Sequence, residues 1–481
     1  TAGIKRVING PMIWSPDSNV LYGPHPDLKN YFCCNGIIPG FSQSGGMGLM
    51  SAQWMVDGES QYDMFAWDVA RFGDWADKAF TKARVGDQYA KRFAIHFPNE
   101  EREAGRPVRT RPIYALQQAL GGVFGLNYGW EHVQWFADAP GAKDTNGFTR
   151  QNWFEPVGRE CRMLRENAGI IDISNFAKYR VRGPKAADWL NAIFANNMPK
   201  AVGRSCLTPL IGVRGGIAGD FTVTRLADDE FMVIGSGMAE RYHQRFWNMV
   251  PMPEGVSFES LTEAMCGFNV AGPKSRELLQ RLTNTSLATA DFPFMRSQWI
   301  ELAGVDCLAL RVSFTGDLGW ELHCSTEDQL RLYQALLDAG KTFSAGPVGG
   351  RALMSLRVEK GYGSWSREYS PEYWPQEVGL AGLIKLDKEF LHKQAYLAIK
   401  CNPPREILSI VEILDVTVAD ATGGEPIFDK AGNGVGRVTS GTYGYGVNKS
   451  LALCYLKNVA PGDELDVMIL GIPHRAVVLA E

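Results

Sequence analysis

Apolar positions along the chain switch between a period of two and a period near 3.6, which predicts short strands interleaved with helices. Ile4-Lys5-Arg6-Val7-Ile8-Asn9-Gly10-Pro11 reads as a strand running into a turn, followed by turns at Ser15-Pro16-Asp17 and Tyr22-Gly23-Pro24. A glycine-rich loop over residues 36–48 then leads into a helix over Leu49 to Val56. Further on, Glu160 to Glu166 reads as an amphipathic helix, Gly169 to Ser174 as a strand and Ala186 to Phe194 as a helix. Strands follow around Asp220 and over Phe231-Met232-Val233-Ile234. Tyr179-Arg180-Val181-Arg182-Gly183-Pro184 and Phe268-Asn269-Val270-Ala271-Gly272-Pro273 each read as strand, Gly-Pro turn and helix, which suggests an internal duplication. The last eighty residues alternate short strands with glycine turns at Gly423-Gly424 and Gly432-Asn433-Gly434, the pattern of a small antiparallel barrel or jelly roll.

Composition narrows the function classes. The chain has 481 residues, enough for two to four domains, with 45% hydrophobic and 21% charged residues. The formal net charge is -4 and the Lys and Arg residues are scattered, which argues against nucleic acid as a partner. No run of eighteen or more apolar residues occurs, so no membrane span is expected. The nine cysteines form no C-x-x-C pair, which suits reduced thiols in a bacterial cytoplasm or the mitochondrial matrix. The seven histidines lack H-x-x-x-H or H-E-x-x-H spacing, so no protein-built metal site is expected.

Two stretches carry candidate chemistry. Arg214-Gly215-Gly216-Ile217-Ala218-Gly219-Asp220 delivers one carboxylate into the strand Phe221-Thr222-Val223. Such an aspartate is either a turn former or a carboxylate at a partly desolvated pocket wall, suited to proton transfer or to gripping a cationic amine. The loop at 36–48 either brings backbone N–H groups to an anionic ligand at a helix N-terminus or simply packs a strand against a helix. A full G-x-G-x-x-G unit after a strand is missing, so this sequence alone does not encode a complete dinucleotide-binding fold. An upstream segment or a partner chain is expected to carry that fold.

Four motifs occur in order: Gly215-Gly216-Ile217-Ala218-Gly219-Asp220, Phe314-Thr315-Gly316-Asp317-Leu318-Gly319-Trp320-Glu321-Leu322, Ser355-Leu356-Arg357-Val358-Glu359-Lys360-Gly361-Tyr362 and Gly436-Arg437-Val438-Thr439-Ser440-Gly441. With these, residues 155–481 resemble the glycine-cleavage T-protein (aminomethyltransferase) family. Their wording resembles the C-terminal half of dimethylglycine and sarcosine dehydrogenases or oxidases. Residues 1–150 resemble the closing part of the amine-oxidase module of those enzymes, through Asn9-Gly10-Pro11, Ser15-Pro16-Asp17, the 36–48 loop and Gly129-Trp130-Glu131.

The resemblance implies an α+β fold with T-protein-like folate-binding domains and a C-terminal antiparallel β-barrel, preceded by the closing part of an FAD-dependent amine-oxidase fold. The implied domains are 1–60 (oxidoreductase module), 61–154 (connecting or cap region), 155–395 (folate-binding aminomethyltransferase domain, internally duplicated) and 396–481 (barrel). The implied reaction is oxidative N-demethylation of a methylated glycine-type amine, with FAD as oxidant and tetrahydrofolate as one-carbon acceptor, giving 5,10-methylenetetrahydrofolate. By motif, Asp220 is the catalytic carboxylate facing the reactive folate nitrogen. Glu321 holds the pterin edge, Thr222 and Phe314 line the same wall, Tyr362 packs on the pterin or benzoyl ring, and Arg351 meets the folate tail. Gly40, Phe41, Ser42 and Gln43 are the implied FAD contacts. His323 alternates with Glu321 on one strand face and is assigned no role. An oligomer is expected, with oxygen or an electron-transfer protein as the electron acceptor.

Two departures from the family pattern stand out. After Tyr362 the run is Gly363-Ser364-Trp365-Ser366-Arg367-Glu368, where the family usually has Arg, Trp-Gly and Asp. Leu207 stands where oxidase relatives can carry a folate-binding tyrosine. Two other functions remain open: a stand-alone tetrahydrofolate-dependent aminomethyl- or methyltransferase, and a non-catalytic regulatory subunit of the same architecture.

Overall fold

A computed structural model of the chain describes residues 3–38 and 40–480, in two units. One unit comprises residues up to Ile95 with Arg102–Val108; the other comprises His96–Glu101 with Arg109 onward.

In the smaller unit an antiparallel hairpin pairs Leu21–Pro24 with Phe32–Asn35. Helices Gly40–Asp57 and Lys78–Ala90 follow, the second capped by the Asp77 carboxylate, which accepts the Phe80 N–H at 2.8 Å. Tyr22, Val20, Met47 and Met64 form the core, with Phe32, Met50 and Trp54 packed against it. The turn at Ser15-Pro16-Asp17 is tied down by Arg71, which grips Asp17 at 2.7 and 2.8 Å.

Two expectations are corrected here. Residues 4–11 have no regular structure, and Ile4, Val7 and Ile8 are exposed, so the strand expected there has no partner among the described residues. The 36–48 stretch is largely helical: the helix begins at Gly40 rather than Leu49. Glycine and serine disfavour helix, but Met47, Met50 and Trp54 recur at helical spacing and pack on the Tyr22 cluster, so tertiary burial outweighs propensity. Pro39, in that stretch, lies outside the described residues.

The larger unit contains two mainly antiparallel sheets and a barrel. The first sheet runs in the order Ser257–Ser260, Ala177–Arg182, Glu230–Gly235, Ile217–Ala227, Ser205–Ile211. The second runs Ser297–Leu302, Val305–Leu310, Gly319–Ser325, Met265–Ala271, Gly169–Asp172, Gly346–Val348, with only the last pair parallel. Each sheet contains a strand that leaves through a Gly-Pro turn into a helix, at Gly183 (φ 135°) and Gly272 (φ 121°), a backbone conformation that suits glycine. Six strands between Ile407 and Val478 close into an antiparallel barrel around Val411, Ile427, Ala452, Cys454 and Val467. The helix expected over 160–166 starts earlier, at Phe154, because Pro156 sits in its first turn, where proline is tolerated. Among the described residues no helix is long and apolar enough to cross a membrane.

Candidate functional site

The turn before Asp220 is built by close approach. Gly212 N–H donates to the Gly216 carbonyl at 2.9 Å, and a Cβ at Gly216 would collide with the Pro371 carbonyl. That glycine lets the segment 371–373 run alongside, where Ile217 N–H donates to Tyr373 O at 3.0 Å. Asp220 then lies on the face of strand Ile217–Ala227 opposite Phe221, which faces the core and packs on Phe194, His243 and Trp247. Asp220 is half-buried, and among the described residues no other residue donates a hydrogen bond to it. Thr222 follows on the same face, with Leu207 as its cross-strand neighbour.

Glu321 sits on strand Gly319–Ser325, opposite Asn269 on one side and Leu310 on the other. Its carboxylate is partly open, and among the described residues it accepts no formed hydrogen bond. Beside it, Asn269 accepts from Ser313 Oγ at 3.0 Å, and Ser313 and Thr315 share a 2.8 Å bond. Those bonds set the loop that carries Phe314. Arg165 clamps the far end of this loop, at 2.7 Å to Asp317 and 2.8 Å to Glu359. Phe314 stacks on Tyr362, with ring centroids 6.1 Å apart and planes 26° apart.

The two sheets turn these residues toward each other. Directly opposite residues of an antiparallel pair share a face. Ile234 is the neighbour of Thr222, and Leu310 the neighbour of Glu321. Ile234 and Leu310 belong to one buried cluster. The Asp220–Thr222 face of one sheet therefore looks onto the Glu321 face of the other.

Arg351 lies elsewhere. Its guanidinium clamps Asp144 at 3.0 and 2.7 Å and stacks over Trp153. It lines a cavity of about 310 Å³ with Phe148, Arg150 and Tyr443, a cavity that Asp220, Thr222, Phe314, Glu321 and Tyr362 do not line. The helix Gly350–Val358 separates Arg351, in its first turn, from Tyr362, beyond its end. In the smaller unit, Gly40, Phe41, Ser42 and Gln43 form the first turn of helix Gly40–Asp57, with Phe41 wholly exposed.

Burial sets the electrostatics. It pushes the Asp220 carboxyl up to about 6, so this group is still mostly ionised at neutral pH. The sequence reading required no such shift. Burial also lowers His323, and it lowers Lys178, fully enclosed nearby, to about 8. Sequence reasoning missed Tyr369, whose phenol feels the Asp220 charge and packs on Gly363. Tyr369 follows directly on the run Gly363–Glu368 that departs from the family pattern, so no motif marks it. In that same run Trp365 is buried against His243 and Tyr242.

The GCVT N-terminal domain matches residues 113–388, the FAD dependent oxidoreductase central domain residues 57–110, and the glycine cleavage T-protein C-terminal barrel domain residues 410–481. The chain belongs to the glycine cleavage T-protein (GCVT) family. It is similar to the mitochondrial dimethylglycine dehydrogenase of Mus musculus, 34% identical over all of this chain and 56% of that protein. It is also similar to mouse mitochondrial sarcosine dehydrogenase, 29% identical over 96% of this chain and 55% of that protein. Mouse mitochondrial pyruvate dehydrogenase phosphatase regulatory subunit is 26% identical over 95% of this chain and 54% of that protein. The chain thus spans little more than half the length of these relatives. The crystal structure of glycine cleavage system aminomethyltransferase T from Bartonella henselae shares the fold, with TM-score 0.67 and 22% identity over 77% of this chain and 97% of that one.

Proposed function

We propose that this chain is the folate-binding half of an FAD-dependent demethylating enzyme that acts on a methylated glycine-type amine such as dimethylglycine or sarcosine. The product is 5,10-methylenetetrahydrofolate. One observation carries the reading: among the described residues two half-buried carboxylates, Asp220 and Glu321, accept no fully formed hydrogen bond from another side chain, and they stand on facing strand faces, with the stacked pair Phe314 and Tyr362 on the loop side of Glu321. Buried carboxylates are normally satisfied, so two open ones on facing strand faces suit a ligand that brings its own N–H groups.

A reduced folate fits that donor set. Its pterin edge presents amino and ring N–H groups that Glu321 accepts side by side, and its rings lie against Phe314 and Tyr362. Bound folate supplies the nitrogen that takes up the one-carbon unit. The Asp220 carboxylate, ionised above about pH 6, stabilises positive charge on the reacting amine or accepts the proton that amine loses. Thr222 and Leu207 close the wall behind it. The folate tail is assigned away from Arg351, whose fork is taken up by Asp144.

For FAD, the described residues offer Gly40–Gln43 as one helix N-terminus, with the fully exposed Phe41 among them. That is too little to hold a flavin. The flavin half and its electron acceptor are assigned to a further segment or a partner chain. A regulatory subunit like the pyruvate dehydrogenase phosphatase relative is the second reading. The open carboxylates favour catalysis, because a scaffold has no use for unpaired buried charge.

Titration with 5-formyltetrahydrofolate tests the reading. Wild type binds, Glu321→Gln weakens binding roughly 10- to 100-fold, and Asp220→Asn binds near wild type while one-carbon transfer by the full protein collapses. Equal binding by wild type and Glu321→Gln refutes it.

A further inference from the structure

We infer that His323 is the positioning residue for Glu321: its Nε2–H donates to the Glu321 carboxylate and keeps that group turned into the cleft. The inference deepens the folate reading and rests on it.

His323 stands two residues from Glu321 on the same strand face, with Nε2 3.6 Å from Glu321 Oε2. It is fully buried, yet both ring nitrogens lack a formed hydrogen bond. An orphaned buried imidazole is costly, which is why buried polar groups are almost always paired. The ring is held from behind. A Cβ at Gly267 would come within 2.9 Å of His323 Nδ1 and 3.1 Å of an Ile173 carbon, so only glycine there leaves room for the imidazole. Leu308 is the cross-strand neighbour on its other side. Within this packing, Nε2 is the nitrogen directed at the Glu321 carboxylate.

Lys178 is the other charged group close by, and it does not compete for Glu321. Its Nζ donates to the Ser174 and Phe176 carbonyls, each at 2.9 Å. A buried cation so near favours the neutral imidazole, which has one N–H to give. Among the described residues Glu321 in turn has no other donor, so the 3.6 Å gap is a hydrogen bond a small side-chain rotation short of forming. A ligand that fixes the carboxylate would complete it. Among the described residues no other residue donates a hydrogen bond to Asp220.

A double-mutant cycle tests the coupling, with 5-formyltetrahydrofolate as the probe and calorimetry as the readout. His323→Leu is expected to weaken binding roughly tenfold, and His323→Gln, which keeps a donor, to restore most of it. In the Glu321→Gln background, His323→Leu should cost nothing further. The same tenfold loss in both backgrounds overturns the proposal while leaving the folate reading intact. If Glu321→Gln binds like wild type, both fall. A second readout does not depend on the leucine variant folding. In ¹⁵N-histidine spectra with ligand bound, the His323 Nε2–H resonance should move when Glu321 becomes Gln, and an unmoved resonance also overturns the proposal.

Discussion

The guanidinium of Arg357 and the carboxylate of Glu368 pair at 2.7 Å with neither side chain exposed. Arg357 Nη1 also donates to the Tyr362 carbonyl at 2.8 Å, and Glu368 accepts from Ser364 N–H, Thr439 and Ser440. The helix motif ending at Tyr362 and the barrel motif around Thr439-Ser440 are therefore two ends of one buried network, which fixes the backbone that presents Tyr362.

Breaking that pair from one side leaves an uncompensated buried charge. Arg357→Met is expected to cost about 3–5 kcal/mol of unfolding free energy, and Arg357→Met with Glu368→Leu to recover part of it. Urea unfolding of the two variants measures this. A single-variant loss below about 1 kcal/mol would contradict the account.

Glu160 is a second buried acid, on helix Phe154–Glu166, accepting the Phe136 and Gly349 N–H groups at 2.6 and 2.7 Å. Burial pushes its carboxyl up to about 7 from an ordinary 4.5. A raised folded-state value means the folded protein binds the proton more tightly, so the stability linked to Glu160 is full below about pH 4.5 and is lost as pH rises through about 7. The loss is on the order of 3 kcal/mol between pH 4.5 and pH 8. Glu160→Gln should flatten that part of the stability–pH curve, and an unchanged curve would rule the assignment out.

Asp220 carries a milder shift in the same direction, to about 6. The role proposed for it needs the ionised form, so one-carbon transfer by the full protein should fall as pH drops through about 6. Asp220→Asn should be slow at every pH and lack that limb. A variant that keeps the limb would assign it to another group.

Leu207, about half exposed opposite Thr222, leaves an apolar edge on the wall next to Asp220. Leu207→Tyr adds a ring and a hydroxyl there and should tighten reduced-folate binding several-fold, the scale of one hydrogen bond. Calorimetry on the pair of proteins measures it, and weaker binding would place the folate away from this wall.

The alternation of apolar positions made the fold class legible, because strands with one buried face write a period of two and helices one of 3.6. It failed where partners decide. Residues 4–11 read as a strand running into a turn but have no partner strand among the described residues, and glycines 45, 46 and 48 look like loop but lie in a helix that Met47, Met50 and Trp54 anchor. The site was legible only in part. Motifs single out Asp220, Glu321 and Tyr362, but the facing of the two sheets rests on the Ile234–Leu310 packing, which no local pattern encodes. The Arg351–Asp144 clamp joins residues 207 positions apart, and nothing near either residue announces it.

The central claim is that a reduced folate occupies the cleft between the Asp220 and Glu321 faces. A crystal structure of the chain with 5-formyltetrahydrofolate tests it most directly. The account predicts density with the pterin edge on the Glu321 carboxylate, the rings against Phe314 and Tyr362, and Asp220 beside the reactive nitrogen. Folate density in the cavity beside Arg351 and Tyr443, with the cleft filled only by water, would contradict it.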